Sequence, residues 1–277
     1  MDLCSSEATA EAVRQANLDL VFHLAAESHV DRSIAGPGVF LESNVLGTFN
    51  LLQAVHLAHF RFHLISIDEV FGSLGPTGRL SETTPYDLRS PYSTSKAASD
   101  HLVRAWHHTY GLPVVLTSCS NNYGPCQFPE KSIPVVSLKA LAGEPTLLYS
   151  DGANVCDWLY VEDHVDALLL AATRERLGES YCIGGSGLHG TASERNKVQV
   201  VNAICALLDG LRPAGAPHSR LITPVGDRPG HDRRYAIDAS KIAAELGWRP
   251  RVDFDQGLEA TVRWTLAHAG NRIASVR

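Results

Sequence analysis

Short apolar runs alternate with helix-length segments along the first 180 residues, and this alternation constrains the fold more than any other feature. The runs 19–26 (DLVFHLAA), 62–67 (FHLISI) and 112–118 (LPVVLTS) are strand-length and apolar at successive positions. That pattern suits strands covered on both faces. Helical patterns lie between and after them, at 5–18, 36–60, 90–111 and 161–174. Strands and helices in this order predict an α/β fold: a doubly wound parallel sheet with helices on both faces. The helix at 90–111 is the most sharply bounded. Ser90 reads as its cap, Pro91 occupies its first turn and Gly111 ends it. A shorter helix is expected at 238–248, capped by Asp238 and ended by Gly247. The segments 119–134 and 184–197 read as loops, and a loop as long as the first is usually functional or disordered.

Composition removes several functional classes. Lys and Arg number 24 against 30 Asp and Glu, a net charge of −6 with no long run of either sign. A generic basic nucleic-acid surface is therefore not expected. No stretch reaches the roughly 18 apolar residues of a membrane helix. The opening MDLCSSEATAEAVRQ is acidic and polar, unlike a secretory leader. The six cysteines form no C-x-x-C and none of the 13 histidines has zinc-ligand spacing, so no metal is assigned. Free thiols and a cytoplasmic location are the expectation.

Two constellations carry chemistry. The run 62–67 stops at adjacent carboxylates, Asp68 and Glu69, where a buried strand ends. Adjacent acids are often a solvated loop, but a strand end opening into a loop also lets both converge on one ligand. Tyr92 and Lys96 stand four apart and share a helix face. An ammonium near the phenol favours the phenolate and lowers its pKa, making a general base. By itself Y-x-x-x-K is a weak signal, equally met by unrelated surface residues.

The segment SPYSTSKAASDHLVRAW (90–106) resembles the extended short-chain dehydrogenase/reductase superfamily. Within it, HLAAESHVDRSI (23–34), SIDEVFG (66–72), SNNYGPCQFPEKSIP (120–134), DWLYVEDH (157–164) and DRPGHDRRYAID (227–238) are similar to dTDP-glucose 4,6-dehydratases. The resemblance runs from about residue 2 to about 266. It implies a Rossmann-type sheet, NAD as cofactor and a nucleotide-sugar, dTDP-glucose, as substrate. It also implies oxidation at C4, elimination of water across C5–C6 and hydride return to C6. Carried over by position, Tyr92 with Lys96 is the oxidation base, Glu69 the C5 base and Asp68 the acid for the departing hydroxyl. Cofactor contacts are expected from Asp2, Leu3, Leu24, Ala25, Ala26, Glu27, Ser28, Ser43, Tyr92, Lys96 and Asn122. Substrate contacts are expected from Ser28, Ile67, Asn121, Lys131, Tyr149, Cys156, Lys197, Asp227, Arg228, Pro229, Gly230 and His231. The implied division is an incomplete NAD-binding domain at 1–118, with 157–183 returning to it, and a smaller nucleotide-sugar-binding region in 119–277. Family members dimerise through helices matching 36–60 and 90–111, so a homodimer is expected of a complete protein.

The sequence departs from that family in three ways. The opening strand and G-x-x-G-x-x-G turn are not read in this chain, which leaves the sheet without its first βαβ unit. The run 19–26 then becomes an edge strand, and weak NAD binding with poor solubility is expected of this chain alone. Ile67 stands where the family usually has threonine, and Cys156 where it usually has arginine. Lys197 aligns with an asparagine, next to an inserted SGLHGT. An impaired member, a non-catalytic pairing subunit, and a related nucleotide-sugar epimerase or decarboxylase are the alternatives.

Overall fold

The computed structural model describes residues 2–272 apart from Asn17, Glu175, 186–192 and Arg228. The elements follow in chain order. Helix α1 (Ser6–Ala16) leads to β1 (Leu20–His23), α2 (Val30–Ala35), α3 (Pro37–Phe40), a π-helical turn (Leu41–Leu46) and α4 (Gly47–Ala58). Strand β2 (Arg61–Ile67) runs into a 3₁₀ turn (Asp68–Phe71), then α5 (Pro91–Tyr110), β3 (Val114–Cys119) and β4 (Asn121–Tyr123). There follow α6 (Ser132–Ala142), β5 (Thr146–Tyr149), β6 (Val155–Tyr160), α7 (Val161–Arg174) and β7 (Ser180–Ile183). The chain closes with β8 (Glu194–Asn196), α8 (Lys197–Leu211), β9 (Ile222–Val225), α9 (Ser240–Leu246) and α10 (Phe254–Arg272).

The main sheet is parallel throughout, in the order β1-β2-β3-β7. Its two faces separate by residue parity, as the two-residue period of a strand requires. Phe62, Leu64, Val114 and Leu116 pack with Val13 of α1, Leu51, Leu52 and Val55 of α4 and Val103 of α5. Their odd-numbered neighbours Ile65 and Val115 turn the other way, against Ala167, Leu168 and Ala171 of α7 and Ile242 of α9. Helices therefore cover both faces, as the alternation predicted. Among the described residues β1 pairs only with β2, at the edge of this sheet, where Leu18 and Leu24 are exposed.

The remaining strands form smaller sheets beyond the ends of β2 and β3. Strand β6 pairs with β4 in parallel and with β8 antiparallel, and β5 pairs with β9. A third core cluster, centred on Tyr123, Trp158, Ile204, Ile237 and Phe254, joins this part to Val70 and Phe71 just after the acid pair.

Several expectations change. The segment 119–134 is not one long loop: Asn121–Tyr123 pair with Trp158–Tyr160, and α6 starts at Ser132. Apolar Tyr123 is buried beneath Trp158 and Phe254, a long-range contact that local composition does not encode. In 184–197, Glu194–Asn196 form β8, whereas the inserted SGLHGT lies wholly outside the described residues. Ala239, not Asp238, occupies the cap position of α9. Asp238 Oδ1 instead accepts the Ser240 N–H at 2.9 Å. Glycines with G-x-x-G-x-x-G spacing do occur, at 72–78 and 184–190. The first set lies in the irregular segment between the 3₁₀ turn and α5 and leads into no helix, so it is no dinucleotide turn. The second follows β7 and falls largely outside the described residues.

Candidate active site

The site forms outside the carboxyl ends of β2 and β3, where open α/β sheets place their ligands. Strand β2 stops at Ile67 because Asp68 begins a 3₁₀ turn, which Gly72 ends at φ +77. Helix α5 meets this point through a capping box. Ser90 Oγ accepts the Ser93 N–H at 3.0 Å, and Ser93 Oγ accepts the Ser90 N–H at 3.1 Å. That box places Tyr92 in the first turn and Lys96 one turn deeper.

The two acids have different surroundings. Asp68 is 4% exposed and its Oδ2 is buried with no hydrogen-bond partner among the described residues. Burial, followed by the charge of Glu69, pushes its carboxyl well above the ordinary range. Burial therefore favours the protonated form of Asp68 more than it is favoured in a free carboxylic acid. Glu69 is only half-buried. Two consecutive carboxyls are thus placed in different environments.

Tyr92 is buried edge-on to Phe40. The expected lowering of its phenol pKa is not found. Burial, followed by the negative charge of Glu69, raises it well above its usual value. Lys96 does not reverse this, because its Nζ donates to the Ile65 carbonyl of β2 at 2.7 Å. Burial lowers the ammonium's own pKa. Cys119, beside Ile67 across the β2–β3 ladder, donates from Sγ to the Ser66 carbonyl at 3.4 Å. Burial pushes that thiol up to about 12.

The segment after β1 lies over this floor. Leu24, Ala25 and Ala26 are exposed, and Glu27 is clamped by a residue the sequence reading missed. Asn44 Oδ1 accepts the Glu27 N–H at 2.8 Å, and its Nδ2 donates to the Glu27 carbonyl at 3.0 Å and to Ser95 Oγ at 2.8 Å. Asn44 is buried in the π-helical turn, one residue after half-buried Ser43. Its only sequence signal was a polar residue on the inward side of an otherwise apolar helix pattern. Lys131 Nζ donates to the carbonyl and Oγ of Ser28 at 2.7 and 3.0 Å, joining the two predicted contact segments. Asn122 Nδ2 donates to the Ser120 carbonyl at 3.1 Å and to Cys119 Sγ at 3.2 Å, while its buried Oδ1 has no partner among the described residues. Asn121 faces the same β4–β6 ladder.

The C-terminal loop closes on the start of α5. A Cβ on Gly230 would stand 2.5 Å from the Arg89 carbonyl, so only glycine permits this approach. His231 Nδ1 and Asp227 Oδ1 are 2.6 Å apart, and Pro229 is exposed. Arg228 lies outside the described residues. Cys156 is buried on β6 opposite Arg195 of β8. Lys197 places its ammonium 5.0 Å from the Trp158 ring centre. Other predicted residues lie elsewhere in the structure. Tyr149 ends β5 in the two-stranded β5–β9 sheet. Asp2 and Leu3 form a turn before α1 rather than a strand, and Asn50 of α4 donates to the Leu3 carbonyl at 2.8 Å.

Comparisons with known proteins agree on one family. The family model described as GDP-mannose 4,6 dehydratase matches residues 1–261. A dTDP-glucose 4,6-dehydratase of Xanthomonas campestris pv. campestris (strain B100) is 56% identical over 262 residues, spanning 90% of this chain and 73% of that protein. The crystal structure of DesIV, a dTDP-glucose 4,6-dehydratase from Streptomyces venezuelae with NAD bound, superposes with a TM-score of 0.89 at 44% identity. That match covers 98% of this chain and 79% of DesIV. A UDP-glucose 4-epimerase of Thermus thermophilus in complex with NAD reaches 0.86 at 30% identity, covering 96% of this chain and 83% of the epimerase. With an acid pair at the end of β2 and Y-x-x-x-K on the facing helix, the chain belongs to the GDP-mannose 4,6-dehydratase family and, within it, to the dTDP-glucose 4,6-dehydratases.

Proposed function

We propose that this protein is an NAD-dependent dTDP-glucose 4,6-dehydratase that converts dTDP-glucose to the 4-keto-6-deoxy sugar nucleotide with loss of water. The observation that carries the reading is the buried Asp68 beside half-buried Glu69, on a turn packed against the helix that carries Tyr92. Oxidation and epimerisation at C4 need only the tyrosine. Removing a C5 proton and a C6 hydroxyl needs a second base and an acid, and this site has that pair.

NAD, when bound, supplies the hydride acceptor for C4 and the donor for C6. The chain's own residues fit its reactive half. The orphaned Asn122 Oδ1 is a buried acceptor awaiting a donor, Lys96 is a buried cation, and Leu24–Ala26 present an exposed apolar strip. Ser28 follows that strip in sequence, and Ser43 precedes Asn44, whose side chain clamps Glu27. Tyr92 takes the O4 proton only as a phenolate, an ionisation that burial opposes and the Lys96 ammonium one turn away favours, as the alcohol becomes a ketone. The ketone acidifies C5–H, and Glu69 removes that proton. Asp68, kept protonated by burial, gives its proton to the departing O6. Substrate grip is assigned to Lys131, Asn121, Lys197 and the loop Asp227–His231, in a nucleotide-sugar region drawn mainly from 119–277. Residues 1–118, with 157–183, form the cofactor part.

The protein is further proposed to be cytoplasmic and to pair with a second copy. The outer faces of α3, α4 and the π turn expose Val39, Leu41, Leu46 and Phe49, and Leu57 is 77% exposed. Apolar exposure of that extent is characteristic of an interface.

The test is incubation of the purified protein with dTDP-glucose and NAD, read by mass spectrometry for a product one water lighter. Formation of that product, and its loss in Tyr92→Phe, supports the reading. No product from a folded protein that binds NAD would assign it instead as an impaired family member, with Ile67 and Cys156 as the altered contacts.

A further inference from the structure

Asp100 is a fully buried carboxylate adjoining the site that neither the sequence reading nor the proposed mechanism uses. It lies on α5, one turn beyond Lys96, and is 0% exposed. Its Oδ2 accepts two hydrogen bonds, from Ser66 Oγ at 2.8 Å and from Tyr86 OH at 2.8 Å. Its Oδ1 is buried with no partner among the described residues. A buried carboxylate held by only two neutral donors needs a nearby cation to remain ionised. Burial raises the Asp100 carboxyl above its usual value; against it act first Lys96, then the Ser66 and Tyr86 hydrogen bonds, and last half-exposed Arg104.

The connections of Asp100 are specific. Ser66 sits two residues before Asp68, on the strand whose end carries the acid pair. The same strand's Ile65 carbonyl receives the Lys96 ammonium at 2.7 Å. Tyr86 packs edge-on against Phe71, the last residue of the 3₁₀ turn that begins with Asp68. Strand end, turn and base-bearing helix therefore meet at one carboxylate.

We propose that Asp100 is a positioning residue: its carboxylate is the counter-charge that keeps Lys96 an ammonium, and it ties α5 to the end of β2 through Ser66. Asp100 touches neither substrate nor cofactor and acts through Lys96 and Ser66. The inference rests on the dehydratase reading only for its effect on turnover; the charge relation to Lys96 stands independently. Other titratable groups facing Lys96 are Cys119 of β3 and His23 of β1. Those facing Asp100 are Tyr86, Arg104 and Tyr92. Both Cys119 and His23 are held neutral by burial, so neither can replace the carboxylate.

The test uses the full chain with ¹³C/¹⁵N-labelled lysine, the Lys96 signal being assigned by its loss in Lys96→Met. Asp100→Asn preserves an oxygen for Ser66 and Tyr86 but removes the charge. Its expected result is a fall of at least tenfold in the Lys96 protonation constant, with the alkaline limb of the kcat profile moving to lower pH. Substrate KM is expected to stay within twofold, and Asp100→Glu to restore part of kcat. An unchanged Lys96 titration in folded Asp100→Asn overturns the proposal, whether or not the protein turns over dTDP-glucose. If Asp100→Asn does not fold, the Asp100 carboxyl ¹³C shift in the unsubstituted protein decides. An ionised carboxylate at neutral pH is expected, and a protonated one overturns the proposal. Absence of turnover with the expected Lys96 titration contradicts the dehydratase reading alone.

Discussion

At the scale of single residues, chemistry is assigned by burial. Asp68 and Glu69 are identical in class and adjacent in sequence, yet only Asp68 is buried with an orphaned oxygen. That difference is the basis for proposing the first as the acid and the second as the base. Glu69→Gln is expected to lower kcat by about 10²–10⁴, the ordinary contribution of a general base, with the protein's melting temperature little changed. Asp68→Asn removes the proton donor. In the unsubstituted enzyme kcat is expected to decline at alkaline pH as Asp68 loses its proton, at a point raised above ordinary carboxylates by burial. Ile67, half-buried at the last position of β2, has no hydroxyl to offer the sugar. Ile67→Thr is therefore expected to raise kcat, by up to about 10²-fold, in a steady-state comparison. The identities of Asp68, Glu69, Tyr92 and Lys96 were legible in the sequence. The electrostatics were not. Spacing placed Tyr92 and Lys96 on one face, but it did not disclose that Lys96 turns to the Ile65 carbonyl or that burial dominates the phenol.

At the scale of elements, the start of α5 and the turn after β2 set the site's geometry. Ser90 and Pro91 were readable as a helix start because capping chemistry is local. Ser90→Ala breaks the capping box and is expected to cost about 1 kcal/mol in chemical denaturation. Gly72 is the stricter case. At φ +77, with the Asp87 carbonyl 2.5 Å from where a Cβ would be, no other residue fits without moving the loop. Gly72→Ala is expected to destabilise the fold by on the order of 2 kcal/mol and to lower kcat, because the displaced turn carries both acids. Strands β4 and β8 escaped the sequence reading for a physical reason. Each has only three residues, and each is fixed by its partner β6 rather than by its own periodicity. Asn44 was hidden similarly: its role depends on Glu27 and Ser95, which are remote in sequence.

At the scale of the whole molecule, β1, β2 and β3 of the parallel sheet were legible because both faces are covered and these strands are continuously apolar, whereas the four-residue β7 was not read. The positions of the smaller sheets, and which loops meet α5, depend on long-range packing around Tyr123 and Phe254 that no local pattern records. Three histidines on or beside the main sheet, His23, His63 and His164, are buried, each lowered to about 4 chiefly by desolvation. They are neutral in the fold and titrate near 6.5 when exposed. Stability is thus full above pH 6.5 and falls as pH drops from there to about 4, because the unfolded chain binds the extra protons. Each histidine is expected to remove on the order of 3 kcal/mol across that window. Urea midpoints measured from pH 7.5 to 4.5 check this, and a flat profile contradicts it.

The central claim is that Glu69 removes the C5 proton and Asp68 protonates the leaving hydroxyl. The most direct measurement is turnover of dTDP-glucose with NAD in D₂O, with the product's C5 and C6 positions read by NMR. The account predicts one solvent deuteron at C5, because the proton taken by Glu69 exchanges before C5 is reprotonated, and it predicts loss of this product in Glu69→Gln. A 4-keto-6-deoxy product with undeuterated C5, or one still formed at the full rate by Glu69→Gln, would contradict it.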